Sequence, residues 1–297
     1  MMTSLRKTFA MWAMVLGTVL CLNTAFGRAE GIEVKDGQKI AFLGDSITQF
    51  GNNTPAGYVR LVISGLEANG INTTYIPAGI SGQKSNDMLG RVGRDVINKK
   101  PDWMTLSCGV NDVWHGAKGV PLDDYKKNMT AIVDKAQAAG IKVMILTSTM
   151  IREDATNGEN QRLVVYNDFL RALAKEKSCL LADLNADMQA AVHAAGGGKP
   201  GDPNVLTADG VHMALPGNLM MATGVLRSFG LNPAQLQKSQ DFWTDMPNAC
   251  ETSPKFSITI RQYNQLKALA ATQNRSVNDL INDTYRKSVE SLLTSSK

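Results

Sequence analysis

Histidine and cysteine are scarce in this chain, with three and four residues among 297. Cys21 lies in an N-terminal apolar stretch, and the odd number and wide spacing of Cys108, Cys179 and Cys250 exclude a disulfide framework. Cys108 and Cys179 fall in apolar, strand-like runs and are expected to be buried free thiols. Runs of like charge are absent too. The net charge of +4 comes from scattered Lys and Arg, so no phosphate-binding stripe exists and nucleic acid is not expected as a partner. No uncharged apolar run reaches the roughly 20 residues that cross a bilayer, and no internal repeat or low-complexity tract is present.

The chain does have 43% apolar residues, enough for one core of about 200 residues plus an appendage. Its N-terminus carries Arg6 and Lys7, an uncharged segment over 9–22, and the small residues of Ala25-Phe26-Gly27. That order predicts an export signal over 1–27, with cleavage after Ala29 as the alternative. A membrane anchor competes with this reading but lacks the length. The product is expected to be exported, periplasmic or secreted, with no stable membrane anchor after cleavage.

From Lys39 onward, short apolar runs alternate with longer segments whose apolar residues recur at three- and four-residue steps. This predicts an α/β fold with a five-stranded parallel sheet covered on both faces. The strand candidates are 40–43, 73–76, 103–107, 143–147 and 180–184. Helices are expected over 58–68, 85–97, 122–139, 161–177 and 216–229, with Gly70 and Gly140 capping two of them. The Gly- and Pro-rich segment 196–204 is expected to be an exposed loop. The catalytic domain is placed at 30–235, a linker without clear period at 236–254, and a strand-helix-helix extension at 255–297, its last helix N-capped by Ser276.

Parallel sheets place ligands beyond the carboxyl ends of their strands. The first strand runs into Gly44-Asp45-Ser46, which puts a serine on the turn to the next helix. A serine hydroxyl needs a neighbouring base in order to attack. His212 lies in Asp209-Gly210-Val211-His212, where a carboxylate three residues earlier can bend back and orient the ring. His193 has no such partner, and His115 is a minor competitor near another strand end. Acyl transfer also needs N–H donors for an oxyanion. Gly79-Ile80-Ser81-Gly82 and Gly109-Val110-Asn111-Asp112 supply candidates.

These four segments, in this order, resemble the sequence blocks of SGNH (GDSL-like) hydrolases over roughly 39–229. The resemblance implies Ser46 as nucleophile and first oxyanion donor, Gly82 as second and Asn111 as third, with Asp209 and His212 completing the triad. It also implies a flavodoxin-like three-layer α/β/α fold, with no metal and no cofactor. One departure is Pro77, where many members carry an asparagine that braces the second block.

Other residues have plainer readings. Asp45 and Asp112 are expected to tie down the turns that present Ser46 and Asn111. Trp114 and His115 are candidates for substrate binding, with Trp114 equally suited to packing. Lys84, Arg91 and Arg152 are expected to be solvated. The tail faintly resembles a ribbon-helix-helix fold. An exported protein meets no chromosome, so the tail is read as packing on the catalytic domain, with a homodimer through an exposed strand edge as a second expectation.

The function expected is hydrolysis of short-chain, acetyl-type esters of small-molecule or polysaccharide carbohydrate through an acyl-serine intermediate. A lipid esterase of lysophospholipase or thioesterase type is the first alternative. A non-catalytic carbohydrate-binding or assembly protein on the same fold is the second.

Overall fold

The computed structural model describes residues 31–247 and 258–295. The predicted export segment 1–27, Cys21 and Cys250 lie outside the described residues. The chain divides into two compact units between Ala249 and Cys250.

The first unit is built on five parallel strands: β1 (Lys39–Gly44), β2 (Thr74–Gly79), β3 (Trp103–Ser107), β4 (Lys142–Leu146) and β5 (Leu180–Ala182). Their order is β2-β1-β3-β4-β5. The central strands β1, β3 and β4 are buried along nearly their whole length, as near-continuous apolar runs must be when helices cover both faces. Strand β2 is an edge strand with alternating burial. An edge position tolerates Pro77, which has no N–H to give to a ladder.

Connections are right-handed, so reversing the direction of strand progression moves a helix to the other face. Helices α1 (Ser46–Asn53) and α2 (Tyr58–Ala68) join β1 to β2 and cover one face. Helices α3 (Ser85–Asp95), α5 (Leu122–Ala138) and α6 (Gly158–Glu176) cover the other. A short helix α4 (Val110–Trp114) follows β3, α7 (Leu184–Ala194) follows β5, and α8 (Leu215–Ser228) and α9 (Pro233–Thr244) pack on α2. The α/β three-layer fold and five-stranded parallel sheet read from the sequence are therefore present, with strand and helix ends within a few residues of expectation.

Two boundaries need correction. Residues 180–184 do not form one strand throughout, because Asp183 accepts a hydrogen bond from the backbone N–H of Ala186 and caps α7. The predicted linker is partly a helix, α9. Asn232 and Gln235 form a capping box at its start, and Pro233 occupies its first turn. Trp243 is buried and donates from Nε1 to the Leu61 carbonyl at 3.1 Å. A side chain at Gly65 would come within 2.6 Å of Leu226 and 2.9 Å of Trp243, so glycine there lets α8 and α9 close onto α2. The catalytic unit thus continues well past residue 235.

Described by itself, the second unit contains α10 (Ile260–Thr272) and α11 (Val277–Thr294). Thr259 and Ser276 cap them, the latter as expected. The predicted strand at the head of this unit is not formed by Ile258 or Thr259, and Ile260 already begins α10; Phe256 and Ser257 lie outside the described residues. Once Thr259 accepts the Gln262 N–H, its backbone is committed to a helix start.

Candidate active site

Ser46 is the first residue of α1, immediately beyond β1. Asp45 caps that helix, accepting the Ile47 N–H at 2.9 Å. The N–H of Ser46 lies in the first turn, where no intrahelical acceptor exists, at the positive end of the helix dipole. A Cβ at Gly44 would lie 2.0 Å from Thr48 Oγ1, so the sharp strand-to-helix turn is possible only with glycine there.

The base reaches Ser46 from the far end of the unit. His212 Nε2 lies 2.9 Å from Ser46 Oγ, and His212 Nδ1 lies 2.6 Å from Asp209 Oδ2. The second oxygen of Asp209 accepts the backbone N–H groups of Val211 at 3.0 Å and His212 at 2.8 Å. Desolvation pushes the Asp209 pKa up, but the hydrogen bonds from the His212 side chain and from these two N–H groups outweigh it. The net effect holds this carboxyl below its usual range and keeps it ionised beside the ring.

The local fold explains the Asp-Gly-Val-His spacing. Thr207 pairs antiparallel with Met213, and Ala208 N–H donates to the His212 carbonyl at 2.8 Å, closing a tight loop. Gly210 turns that loop with φ +94°. Phe50, one helical turn beyond Ser46, sets its ring edge-on to His212 at 4.8 Å between centroids.

The two remaining blocks lie beside these residues. Gly82 has φ +76°, a left-handed conformation that suits glycine. Asn111 is buried on α4, and its amide donates to the Gln83 carbonyl at 3.1 Å and to Asp45 Oδ2 at 3.3 Å. To donate to an oxyanion it must release one of these, and the longer bond to Asp45 is the weaker. Asp112 accepts the N–H of Ser85 at 3.0 Å and its hydroxyl at 2.6 Å, tying α4 to α3. Trp114 and His115 are both exposed, and His115 Nε2 lies 3.3 Å from Asn111 Oδ1. His193 is exposed near the end of α7. Cys108 is a buried free thiol and Cys179 a half-buried one. Among the described residues no group of three His, Cys, Asp or Glu side chains is arranged to hold a metal ion.

Three supporting residues escaped the sequence reading. Arg91 is not solvated but buried, 4% exposed, beneath the strand ends, and Gln83 lies against it. Glu153 is buried just after β4 and accepts four hydrogen bonds from 205–207. A charged side chain inside a charged stretch reads as solvent-facing, so nothing in the local sequence marked either Arg91 or Glu153.

Region 42–218 matches the model of the GDSL-like lipase/acylhydrolase family. The chain belongs to this family. It is a carboxylic ester hydrolase. The acetylxylan esterase of Geobacillus stearothermophilus is 27% identical over 67% of this chain and 97% of its own length. Its crystal structure matches with a TM-score of 0.60 at 26% identity, covering 68% of this chain and 98% of that one. Crystal structures of its catalytic mutants carry alanine in place of a serine, an aspartate or a histidine. A second acetyl xylan esterase, AlAXEase, matches with a TM-score of 0.60 at 35% identity over 64% of this chain and 98% of its own. Esterase TesA of Pseudomonas aeruginosa is 26% identical over 60% of this chain and 81% of its own.

One pH effect arises from Asp45. Burial is the largest cause lifting its carboxyl from 3.8 to about 6, with the nearby Asp112 adding to it and the Ile47 N–H opposing it. A group raised in the folded chain stabilises the fold while it holds its proton, and that contribution is lost as pH rises through the folded value. The interval from 3.8 to about 6 corresponds to about 3 kcal/mol. Asp45→Asn does not titrate. Urea unfolding should therefore show wild type losing about 2 kcal/mol of that relative to the variant between pH 4 and 6, with a flat difference above pH 7. A difference that stays constant from pH 4 to 7 would contradict the burial argument.

Proposed function

We propose that this chain is an exported esterase that removes short acyl groups, acetyl above all, from carbohydrate through an acyl-Ser46 intermediate. The observation that carries the reading is the unbroken relay from Asp209 through His212 to Ser46, at 2.6 and 2.9 Å. His212 takes the hydroxyl proton as Ser46 attacks the ester carbonyl. Asp209 accepts the Nδ1–H and stabilises the imidazolium. The oxyanion is received by the N–H groups of Ser46 and Gly82 and by the Asn111 amide. His212 then protonates the departing alcohol, and in the second half it activates the water that releases the acid.

Carbohydrate is supported by the acetylxylan esterases among the relatives and by where the exposed aromatics sit. Phe50 is one helical turn from Ser46, and Trp114 is one turn from Asn111. Aromatic faces suit sugar rings. Export is supported by the basic residues, apolar segment and small residues at the N-terminus, and it predicts a mature chain lacking 1–27 in the periplasmic or medium fraction. Among the described residues no helix is long and apolar enough to cross a membrane.

The test of the acyl preference compares acetyl and octanoyl 4-nitrophenyl esters, together with acetate release from acetylated xylo-oligosaccharides. Acetyl should lead in kcat/KM by about 10-fold or more. A clear preference for octanoyl, with no acetate released from the oligosaccharides, would establish the lipid-esterase alternative instead.

A further inference from the structure

Arg91 is the least exposed cation near the active site, and nothing in the triad chemistry uses it. Its guanidinium lies under the carboxyl ends of β1 and β2. Nη2 donates to the Gly44 carbonyl at 2.9 Å, Nη1 donates to the Ala78 carbonyl at 2.8 Å, and Nε donates to the Gln83 side-chain oxygen. Asp95, 3.2 Å from Nη1, supplies the countercharge. Each of these attachments sits beside an oxyanion donor. Gly44 is two residues before Ser46. Ala78 is the penultimate residue of β2, ahead of the turn that carries Gly82, and Gln83 follows Gly82 directly. The Gln83 carbonyl in turn holds the Asn111 amide at 3.1 Å.

Other bonds converge on the same spacing. Ile80 N–H donates to the Gly44 carbonyl at 3.1 Å, and Ser81 N–H donates to Gln49 Oε1 at 2.9 Å. The strand ladder ends at Gly44 and Gly79, so beyond that level the sheet no longer holds the two turns in register. A planar fork with several donors can grip two carbonyls and an amide oxygen at once; an ammonium group cannot do so in the same geometry. Pro77 adds to the need, because it supplies neither an N–H nor a polar side chain at the position where the second block begins.

We propose that Arg91 is a positioning residue that sets the distance between the three oxyanion donors, acting through Gly44, Ala78 and Gln83. The inference rests on the assignment of Ser46, Gly82 and Asn111 as donors. A misplacement of about 1 Å in such a site can cost on the order of 100-fold in rate. The loss falls on the transition state, where the oxyanion exists, and not on the bound ester.

The test uses the full chain and the variants Arg91→Lys, Arg91→Met and Gln83→Ala. Reactive serine is first titrated with a fluorophosphonate, so that kcat is expressed per competent site and a merely destabilised protein does not mimic a slow one. For 4-nitrophenyl acetate, Arg91→Met should lose about 10- to 100-fold in kcat with KM within about threefold, and Arg91→Lys and Gln83→Ala should fall between it and wild type. Affinity for a phenylboronic acid, which forms a tetrahedral adduct on the serine, should fall in parallel with kcat. Per-site kcat within about twofold of wild type in a folded Arg91→Met variant overturns the proposal, as does a loss confined to KM. Unfolding of all three variants would mark a purely structural role and overturn it equally. A wild-type chain without esterase activity would instead end the functional reading on which the proposal rests.

Discussion

Ser46→Ala should lower kcat by about 100,000-fold or more while leaving the fold and its unfolding midpoint nearly unchanged. Ser46 Oγ has one polar partner among the described residues, His212 Nε2. Removing the hydroxyl therefore deletes the nucleophile and one hydrogen bond but opens no significant cavity. The backbone of Ser46 still begins α1, and its N–H remains directed as before. KM for a small ester should accordingly change little, and the residual rate is whatever the oxyanion donors provide to water attack. The measurement is steady-state hydrolysis of 4-nitrophenyl acetate with circular dichroism on the same sample. Equal turnover in wild type and variant would remove Ser46 from the mechanism. If both proteins proved inert on every ester and still bound acetylated oligosaccharide, the chain would be the non-catalytic binding protein.

Glu153→Ala should produce the largest stability loss of any single side-chain truncation near the site, about 4 kcal/mol or more. Glu153 is 7% exposed. Its Oε1 accepts the N–H of Leu206 at 2.9 Å, the N–H of Thr207 at 2.7 Å and the Thr207 hydroxyl at 2.6 Å, while Oε2 accepts the N–H of Val205 at 2.7 Å. Truncation leaves three backbone donors without an acceptor, and each such orphan costs about 1–3 kcal/mol. The affected segment leads directly into the loop of Asp209 and His212, so kcat should fall as well. Glu153→Gln is the informative control. A glutamine oxygen can keep the three bonds of Oε1, leaving only Val205 facing an amide donor, for a cost of about 1–3 kcal/mol. Urea unfolding at pH 7 measures both. A loss below about 1 kcal/mol in Glu153→Ala would show that water replaces the carboxylate and that the loop does not depend on it.

The two variants differ in how visible their residues are before folding. Ser46, Asp209 and His212 could be picked out because each lies in a short segment whose neighbours have steric reasons to be there. Gly44 makes room for Thr48, and Gly210 turns the loop that brings Asp209 back to His212. Such constraints act over three or four residues and leave a mark in the chain. Helix α9 left a mark too, in Asn232, Pro233 and Gln235, although its weak periodicity suggested a linker. The start of the C-terminal unit is the opposite case. Ile258, Thr259 and Ile260 have β-branched side chains that favour a strand, yet the Thr259 cap commits them to a helix start.

Alternation of apolar runs with helical periods was sufficient to establish the parallel sheet, its five strands and the rim where chemistry would collect, because those features depend on local burial and on turns of a few residues. Which charged groups go inside was decided by the assembled fold. Arg91 and Glu153 have the same local surroundings as solvated residues. They are buried because strand ends and a returning loop, some 50 residues away in sequence, offer carbonyl and N–H groups that water can no longer reach. Only the closed structure creates those unmet hydrogen-bonding groups, and satisfying them is what draws a charge into the interior.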